Sequence, residues 1–408
     1  MMMTTISVES LLSSRVSNLA PNPISVANEE AARLRRKRQQ ITNFSIGEPD
    51  FETPEHIKEA GMAAIRRGET RYTVPDGRPD LKLAICEKFS RENGLEFSPE
   101  QVTVGAGAKQ VIYNAMQATL DEGDEVVIPA PYWTSYPEIV LLSGGCPVFV
   151  ECPSSAGFKL TPAQLSAALS PRTKWVILNS PSNPSGATYT PAELEGLSEV
   201  LLHHPKVLVL SDDIYEHILY DDFVFDTISR IEPGLEGRTL VVNGMSKTYA
   251  MTGWRLGYGG GPRELISAMG NIQAQATSAP CSISQAAAIT ALTGPQDEIP
   301  VRREIFRERR DLMVERIGSV SGLACTRPSG AFYVYVDCSG VMGRRTRKGA
   351  TLNDDVGVAV YLLQEAQVAV VPGAAFGLSP FLRFSYATAT KAIEDGCDRI
   401  AQALDALT

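Results

Sequence analysis

Two features of the chain predict an α/β fold. Short β-branched runs alternate with helical patterns, and each run stops at a loop rich in Gly, Pro, Asn, Ser or charge. A third feature, a change of texture near Pro300, predicts a second, smaller α+β domain. Residues 53–67 read as a helix, with Thr53 as cap, Pro54 at the first position and Gly68 as the stop. A strand follows at 102–104, a helix at 109–120 and a strand at 125–128; further strands read at 175–178, 207–210 and 240–242. Beyond Pro300 the charged stretch VRREIFRERRDLMVERI reads as a helix, and PSGAFYVYVD alternates as a strand.

Where the strands stop carries the functional argument. Val104 runs into GAGAKQ, Ile128 into PAPYW, Leu178 into NSPSNPSG, Leu210 into SDDIYE and Val242 into NGMSK. Ligands of open α/β sheets bind at the carboxyl ends of the strands, where such loops converge. The chemistry is therefore expected in these loops.

Composition narrows the classes. A chain of 408 residues with 44% hydrophobic and 21% charged residues can bury a sizeable core. Its net charge of -9 disfavours nucleic acid as a partner, and its apolar runs are too short to span a membrane. The basic run RLRRKR at 33–38 reads as a solvated helix face, and RRTRK at 344–348 as an exposed loop. The N-terminus lacks the pattern of a secretory signal. Cys86, Cys146, Cys152, Cys281, Cys325, Cys338 and Cys397 are scattered without CxxC spacing and read as reduced, mostly buried thiols of a cytoplasmic protein. His56, His203, His204 and His217 show no zinc-site spacing, so no metal is expected.

In VVNGMSKTYAMTGWRLGY, Lys247 lies just beyond a strand end. A lysine there is either a surface charge or an amine whose pKa desolvation and neighbouring cations lower until it acts as nucleophile and base. SKTYAMTGWR resembles the signature of the fold type I, class I pyridoxal-phosphate aminotransferases, and the resemblance runs from about Phe44 to Tyr386. It implies a large domain over 48–296 with a mostly parallel seven-stranded sheet, and a small domain of 1–47 and 297–408. It also implies that Lys247 holds pyridoxal 5'-phosphate as a Schiff base, and that the active site is shared across a homodimer.

The other loops match the family in order and kind. Asp212 in SDDIYE matches the aspartate paired with the pyridine nitrogen; Asp213 stands where the family usually has glutamate. A carboxylate there favours the protonated ring. Tyr215 and Asn183 match the pair bonded to the cofactor's phenolic oxygen, and Trp133 the aromatic stacked on its ring. The phosphate is expected at GAGAKQ, where Gly107 allows close approach and the N–H groups of Ala108 and Lys109 open a helix. As a dinucleotide fingerprint GAGAKQ is incomplete, since Gln110 replaces the third glycine and no acidic residue follows at the required spacing. Ser246 and Arg255 match the rest of the phosphate cup, and Tyr72 a tyrosine that reaches the phosphate of the neighbouring subunit. Arg383, in FLRFSYA, matches the arginine that clamps the substrate's alpha-carboxylate, and Gly47 a glycine whose backbone meets the same group.

The resemblance implies a ping-pong exchange of an amino group between an L-amino acid and a 2-oxo acid. IGEPDF, GAKQ, PYWTSYPE and AMTGWR are most similar to the bacterial aspartate aminotransferase branch, where a lysine at the place of Lys109 helps hold a distal carboxylate. Aspartate or another dicarboxylic amino acid is the expected donor. Some members of that branch also carry a lysine before an N-terminal proline; here Ala20 precedes Pro21, which counts against prephenate. The alternatives are a same-fold aminotransferase for aromatic, basic or specialised amino acids, and a non-catalytic ligand-sensing regulator built on this fold.

Overall fold

A computed structural model of the chain describes residues 8–17, 19, 29, 33 and 41–408. Residues Ala20 and Pro21, and the basic run at 33–38 apart from exposed Arg33, lie outside the described residues. Among the described residues the main sheet has seven strands: β2 Val102–Gly105, β3 Glu125–Ala130, β4 Cys146–Glu151, β5 Thr173–Asn179, β6 Leu208–Asp212, β7 Thr239–Gly244 and β8 Gly257–Gly260. Their order is β2-β8-β7-β6-β5-β3-β4, and only β8 runs antiparallel to its neighbours. β6 and β7 are buried along nearly their whole length, as central parallel strands covered on both faces must be.

The observed strands are longer than the apolar runs. β5 continues through Asn179 and β6 through Asp212, because ladder pairing with Asp212 and Val242 extends past the last apolar residue. The aspartate expected in a loop is therefore the last residue of a strand, a more rigid mount. The first long helix is Glu55–Arg66, capped by Pro54. Thr53 does not cap it; its hydroxyl donates to Ala250 O at 2.8 Å and accepts from Trp254 Nε1 at 3.1 Å.

Strand β8, with sequence GYGG, needs its glycines. A Cβ on Gly257 would overlap the backbone of Ala108, and one on Gly259 would lie 3.0 Å from Val111 Cγ1. The bare strand lets the helix Ala108–Thr119 settle directly on the sheet, with its N-terminus beside the ends of β7 and β2.

The C-terminal part forms a four-stranded antiparallel sheet in the order β12-β13-β10-β9, from β9 Ala324–Cys325, β10 Tyr333–Asp337, β12 Val371–Pro372 and β13 Phe381–Ser385. The helices Glu298–Gly318 and Thr390–Asp405 pack against each other beside it. Near the start of the chain β1 Thr42–Asn43 pairs in parallel with β11 Val368–Ala369. The segment 344–348 is an irregular, mostly exposed loop closed by a bridge between Arg345 and Thr351. The seven thiols are free, but only Cys152, Cys338 and Cys397 are buried; Cys146 and Cys281 are exposed, against the expectation.

Candidate active site

A cavity of about 580 Å³ opens at the carboxyl ends of β5, β6 and β7, roofed by the residues after β1 and by β10 and β13. Gly47, Ala108, Lys109, Trp133, Asn183, Asp212, Tyr215, Ser246, Lys247, Arg255 and Arg383 all line it. Gly107 sits directly behind as the cap of the helix Ala108–Thr119. Tyr72 is not brought to this cavity and is 93% exposed on the surface of its own chain.

Lys247 enters from the turn after β7, and its Nζ donates to Gly47 O at 2.5 Å. Burial first, and then the Arg383 guanidinium, push this amine down to about 8. Asp212 is 4% exposed. Tyr136 Oη donates to its Oδ2 at 2.6 Å and Ile214 N to its Oδ1 at 3.4 Å. Burial nonetheless pushes the carboxyl up to about 6. Of the doublet only Asp212 lines the cavity; Asp213 accepts from Ser211 Oγ at 2.7 Å.

Arg383 is fully buried over the rings of Tyr333 and Phe376, 4.5 and 5.1 Å from their centroids. Its Nη1 donates to Asn183 Oδ1 at 2.9 Å and its Nη2 to Ser45 O at 2.6 Å, while Nε has no partner. A desolvated guanidinium facing only neutral oxygens suits an incoming carboxylate. Tyr333 also explains Gly47, since a Cβ at position 47 would lie 2.9 Å from Tyr333 Oη.

At the other end, Gly107 has φ 87°, and a Cβ on it would lie 2.5 Å from Arg255 Nη2. Glycine here lets the guanidinium cross the mouth of the helix. Arg255 itself holds φ 52°, a left-handed conformation whose cost is of the order met at functional sites. Lys109 Nζ lies over the Trp133 ring, 4.9 Å from its centroid. Burial and then Arg255 lower its amine.

The cavity is thus lined by four cations, Lys109, Lys247, Arg255 and Arg383, against two carboxylates, Glu48 and Asp212. An acidic protein presents a cationic pocket, which fits anionic ligands. The residues also fit pyridoxal phosphate: a helix N-terminus with Arg255 and Ser246 for the phosphate, a carboxylate held in the interior for a ring cation, and a depressed amine for its aldehyde.

A family model for aminotransferase class I and II matches residues 39–400. The chain belongs to that family. Class I and II aminotransferases use pyridoxal phosphate, and this enzyme is a pyridoxal-phosphate-dependent transaminase of fold type I. The aspartate aminotransferase of Rhizobium meliloti (strain 1021) is 54% identical over 395 residues, 97% of this chain and 96% of that protein. The aspartate/prephenate aminotransferase of Cereibacter sphaeroides is 55% identical over 389 residues, 95% and 97% of the two. Among solved structures, an aspartate aminotransferase from Rhizobium meliloti matches with TM-score 0.95 at 54% identity, over 97% of this chain and 99% of that one. The Thermus thermophilus aspartate aminotransferase with maleate matches with TM-score 0.90 at 42% identity, over 96% and 99%.

Sequence reading missed Tyr136, Asn179 and Tyr333. Asn179 Nδ2 donates to Asp212 O at 2.9 Å and its Oδ1 accepts from Asn183 N at 2.8 Å, tying two site loops together. Tyr333 Oη lies 2.9 Å from Tyr215 Oη. Tyr136, three residues after Trp133 and edge-on to its ring at 5.3 Å, had one legible signal, the helical spacing within PYWTSY.

Proposed function

We propose that this aminotransferase exchanges the amino group of aspartate, or of a closely similar dicarboxylic amino acid, with a 2-oxo acid, the first acid leaving before the second binds. Lys247 would hold pyridoxal phosphate; Asp212 the ring nitrogen; Tyr215 and Asn183 the phenolic oxygen; Trp133 the ring face; Gly107, Ala108, Lys109, Ser246 and Arg255 the phosphate end. When bound, the cofactor supplies an aldehyde for the amino group and a ring that withdraws electrons from the substrate's alpha carbon.

The rest is done by side chains of this chain. Arg383, with Gly47 beside it, takes the alpha-carboxylate and fixes which bond faces Lys247. The Nζ of Lys247, lowered to about 8, is neutral often enough near neutral pH to accept the alpha proton and return it at a different carbon, across the amino nitrogen. Tyr215, kept protonated well above its ordinary pKa by burial and then by Tyr333, offers a hydrogen bond without taking part in that transfer. Lys109 is the cation for the distal carboxylate.

The observation that carries this reading is the buried Arg383 guanidinium with an unbonded Nε and only neutral partners. The dicarboxylic choice is supported by the cation excess, by relatives named aspartate aminotransferase and by the similar Thermus thermophilus enzyme solved with maleate. We also propose a division at 47/48 and 296/297, a cytoplasmic enzyme in keeping with its free thiols, and a homodimer in which the exposed Tyr72 completes the partner's phosphate site. No helix among the described residues is long and apolar enough to cross a membrane.

A panel of amino donors against 2-oxoglutarate, oxaloacetate and pyruvate tests the substrate. Aspartate is expected to exceed phenylalanine in kcat/KM by on the order of a hundredfold. An aromatic donor that matches aspartate ends the dicarboxylic reading. Prephenate as an added acceptor shows whether Ala20 before Pro21 matters.

A further inference from the structure

Behind the catalytic loops, away from the cavity, lies a second polar cluster. Lys88, Glu92 and Asn93 come from the end of the helix Pro79–Lys88 and the turn Phe89–Asn93, Glu216 and His217 from the turn after β6, and Asn243 and Thr248 from either side of the β7 exit. Glu216 is buried and accepts from Lys88 Nζ, from Asn93 Nδ2 at 2.6 Å and from Asn243 Nδ2 at 2.7 Å. His217 Nε2 lies 3.0 Å from Glu92 Oε2 and its Nδ1 3.1 Å from the buried Thr248 Oγ1. Glu92, Glu216 and His217 could group around a metal ion, but the Lys88 ammonium already lies against both carboxylates.

Thr248 is the residue after Lys247, and His217 lies two residues beyond Tyr215. This contact therefore joins the turn that bears the amine to the turn that bears Tyr215 and follows Asp212 at the end of β6. A carboxylate only accepts, so His217 Nε2 carries a proton toward Glu92. While the ring is neutral, the Thr248 hydroxyl donates to Nδ1; once it is charged, Nδ1 donates and the hydroxyl accepts. In both states the contact persists. The charged groups facing the ring are Glu92, Glu216 and Lys88, with Arg91 on the outer oxygen of Glu92, and the neighbouring phenols of Tyr249 and Tyr258 are buried.

We propose that His217 and Thr248 are positioning residues for the transamination, holding the main chain at Lys247 in register with Asp212 and Tyr215 through the Glu92–His217–Thr248 contact. The proposal rests on the assignment of Lys247 as the cofactor lysine. That assignment is checked separately, by borohydride reduction of the holoenzyme and peptide mapping of wild type and variants.

The test uses purified holoenzyme carrying Thr248→Val, Thr248→Ser, His217→Gln and the Thr248→Val/His217→Gln pair. Valine keeps the shape of threonine and removes the hydroxyl; glutamine keeps a donor toward Glu92 and loses the reach to Thr248. Thr248→Val and His217→Gln are each expected to lower kcat about tenfold, with KM for the amino donor within about twofold of wild type, since Arg383 is untouched. The pair is expected to lose no more than either single variant, and Thr248→Ser to recover kcat. The pH midpoint of the lysine-linked chromophore is expected to move up in the two impaired variants, because a looser loop admits water and relieves the desolvation that disfavours the charged nitrogen. Wild-type kcat and midpoint in Thr248→Val overturn the proposal. So do additive losses in the pair, or a lowered melting temperature with kcat and midpoint unchanged. Loss of the wild-type midpoint on treatment with a chelator overturns it in favour of a cation at Glu92, Glu216 and His217.

Discussion

Three carboxylates stand within five residues of one another at the end of β6, and all three are buried: Asp212, Asp213 and Glu216. Their electrostatics differ. Burial opposes ionisation of Glu216 as well, yet Lys88 and His217, helped by the hydrogen bond from Asn93, hold its carboxyl below its usual range. Asp212 receives a tyrosine hydroxyl and a long backbone contact and is pushed up to about 6; Asp213, with Ser211 as partner, goes to about 8. The amide and ammonium donors that a structural carboxylate needs are folded in around Glu216. Around Asp212 they are fewer: one phenol and one backbone N–H donate to it, and Lys247 is the cation that acts on it from the cavity side. A buried acid with few donors beside a depressed lysine, both lining one cavity, is the pattern of a candidate functional site.

The largest effect is expected where the chain supplies the reacting atom. Lys247→Ala removes both the anchor and the proton carrier, and turnover is expected to fall by at least about a thousandfold, with the visible absorbance of the holoenzyme lost. Single-turnover and steady-state assays read the first, a spectrum the second. Ordinary turnover in this variant would mean that another amine does the work. Next comes the satisfied acid. Glu216→Gln takes the nearer of its two counter-charges from the buried Lys88 ammonium and leaves only Glu92 at 3.7 Å, which is expected to cost about 3 kcal/mol of stability, read by urea denaturation. A loss below about 1 kcal/mol would show that Lys88 finds Glu92 instead.

The difference between the two acids could not be read from SDDIYE. Lys247, Asp212 and Arg383 were legible because each sits in a local motif. Tyr136 acquires its role across 76 residues of chain, and Tyr333 meets Tyr215 across 118; only the fold brings them together. The same division holds for the strands. β5, β6 and β7 are apolar and buried, so their cores stood out, while their polar ends did not. β4 is an edge strand with Pro147 and alternating exposure, and β8 is nearly all glycine because a helix lies against it. β8 lacks the β-branched run that marks a strand in a sequence, and in β4 that run is only the three residues Val148 to Val150 after a proline.

Arg383→Lys keeps the charge and removes the fork. The Asn183 and Ser45 bonds cannot both be kept while a bidentate carboxylate is bound, so kcat/KM for every amino donor is expected to fall by roughly ten- to a hundredfold, carried mainly by KM. A fall confined to dicarboxylic donors would instead place Arg383 at the distal group and Lys109 at the alpha-carboxylate.

Asp212→Asn sharpens the comparison most, because its effect on the cofactor-free chain has the opposite sign to that of Glu216→Gln. With its folded pKa at about 6 and an ordinary value of 3.8, Asp212 holds a proton in the folded chain that the unfolded chain has released. Between those two pH values the folded state binds more protons, so stability falls as pH rises, and above about 6 the whole deficit is present. Asparagine does not titrate and can still accept from Tyr136. Apo Asp212→Asn is therefore expected to melt a few degrees above apo wild type at pH 7, a gain of up to about 3 kcal/mol, and to match it near pH 4. The Asp213 deficit, which extends to about 8, is present in both proteins but smaller in the variant, because the Asp212 charge is one of its causes, so it adds to the gain. Saturation with pyridoxal phosphate is expected to reverse the order, since the protonated ring nitrogen then meets a carboxylate in the wild type and a neutral amide in the variant. If apo Asp212→Asn is less stable than wild type at pH 7, Asp212 is a satisfied structural acid like Glu216, and the partner of the cofactor's ring nitrogen must be sought at another residue.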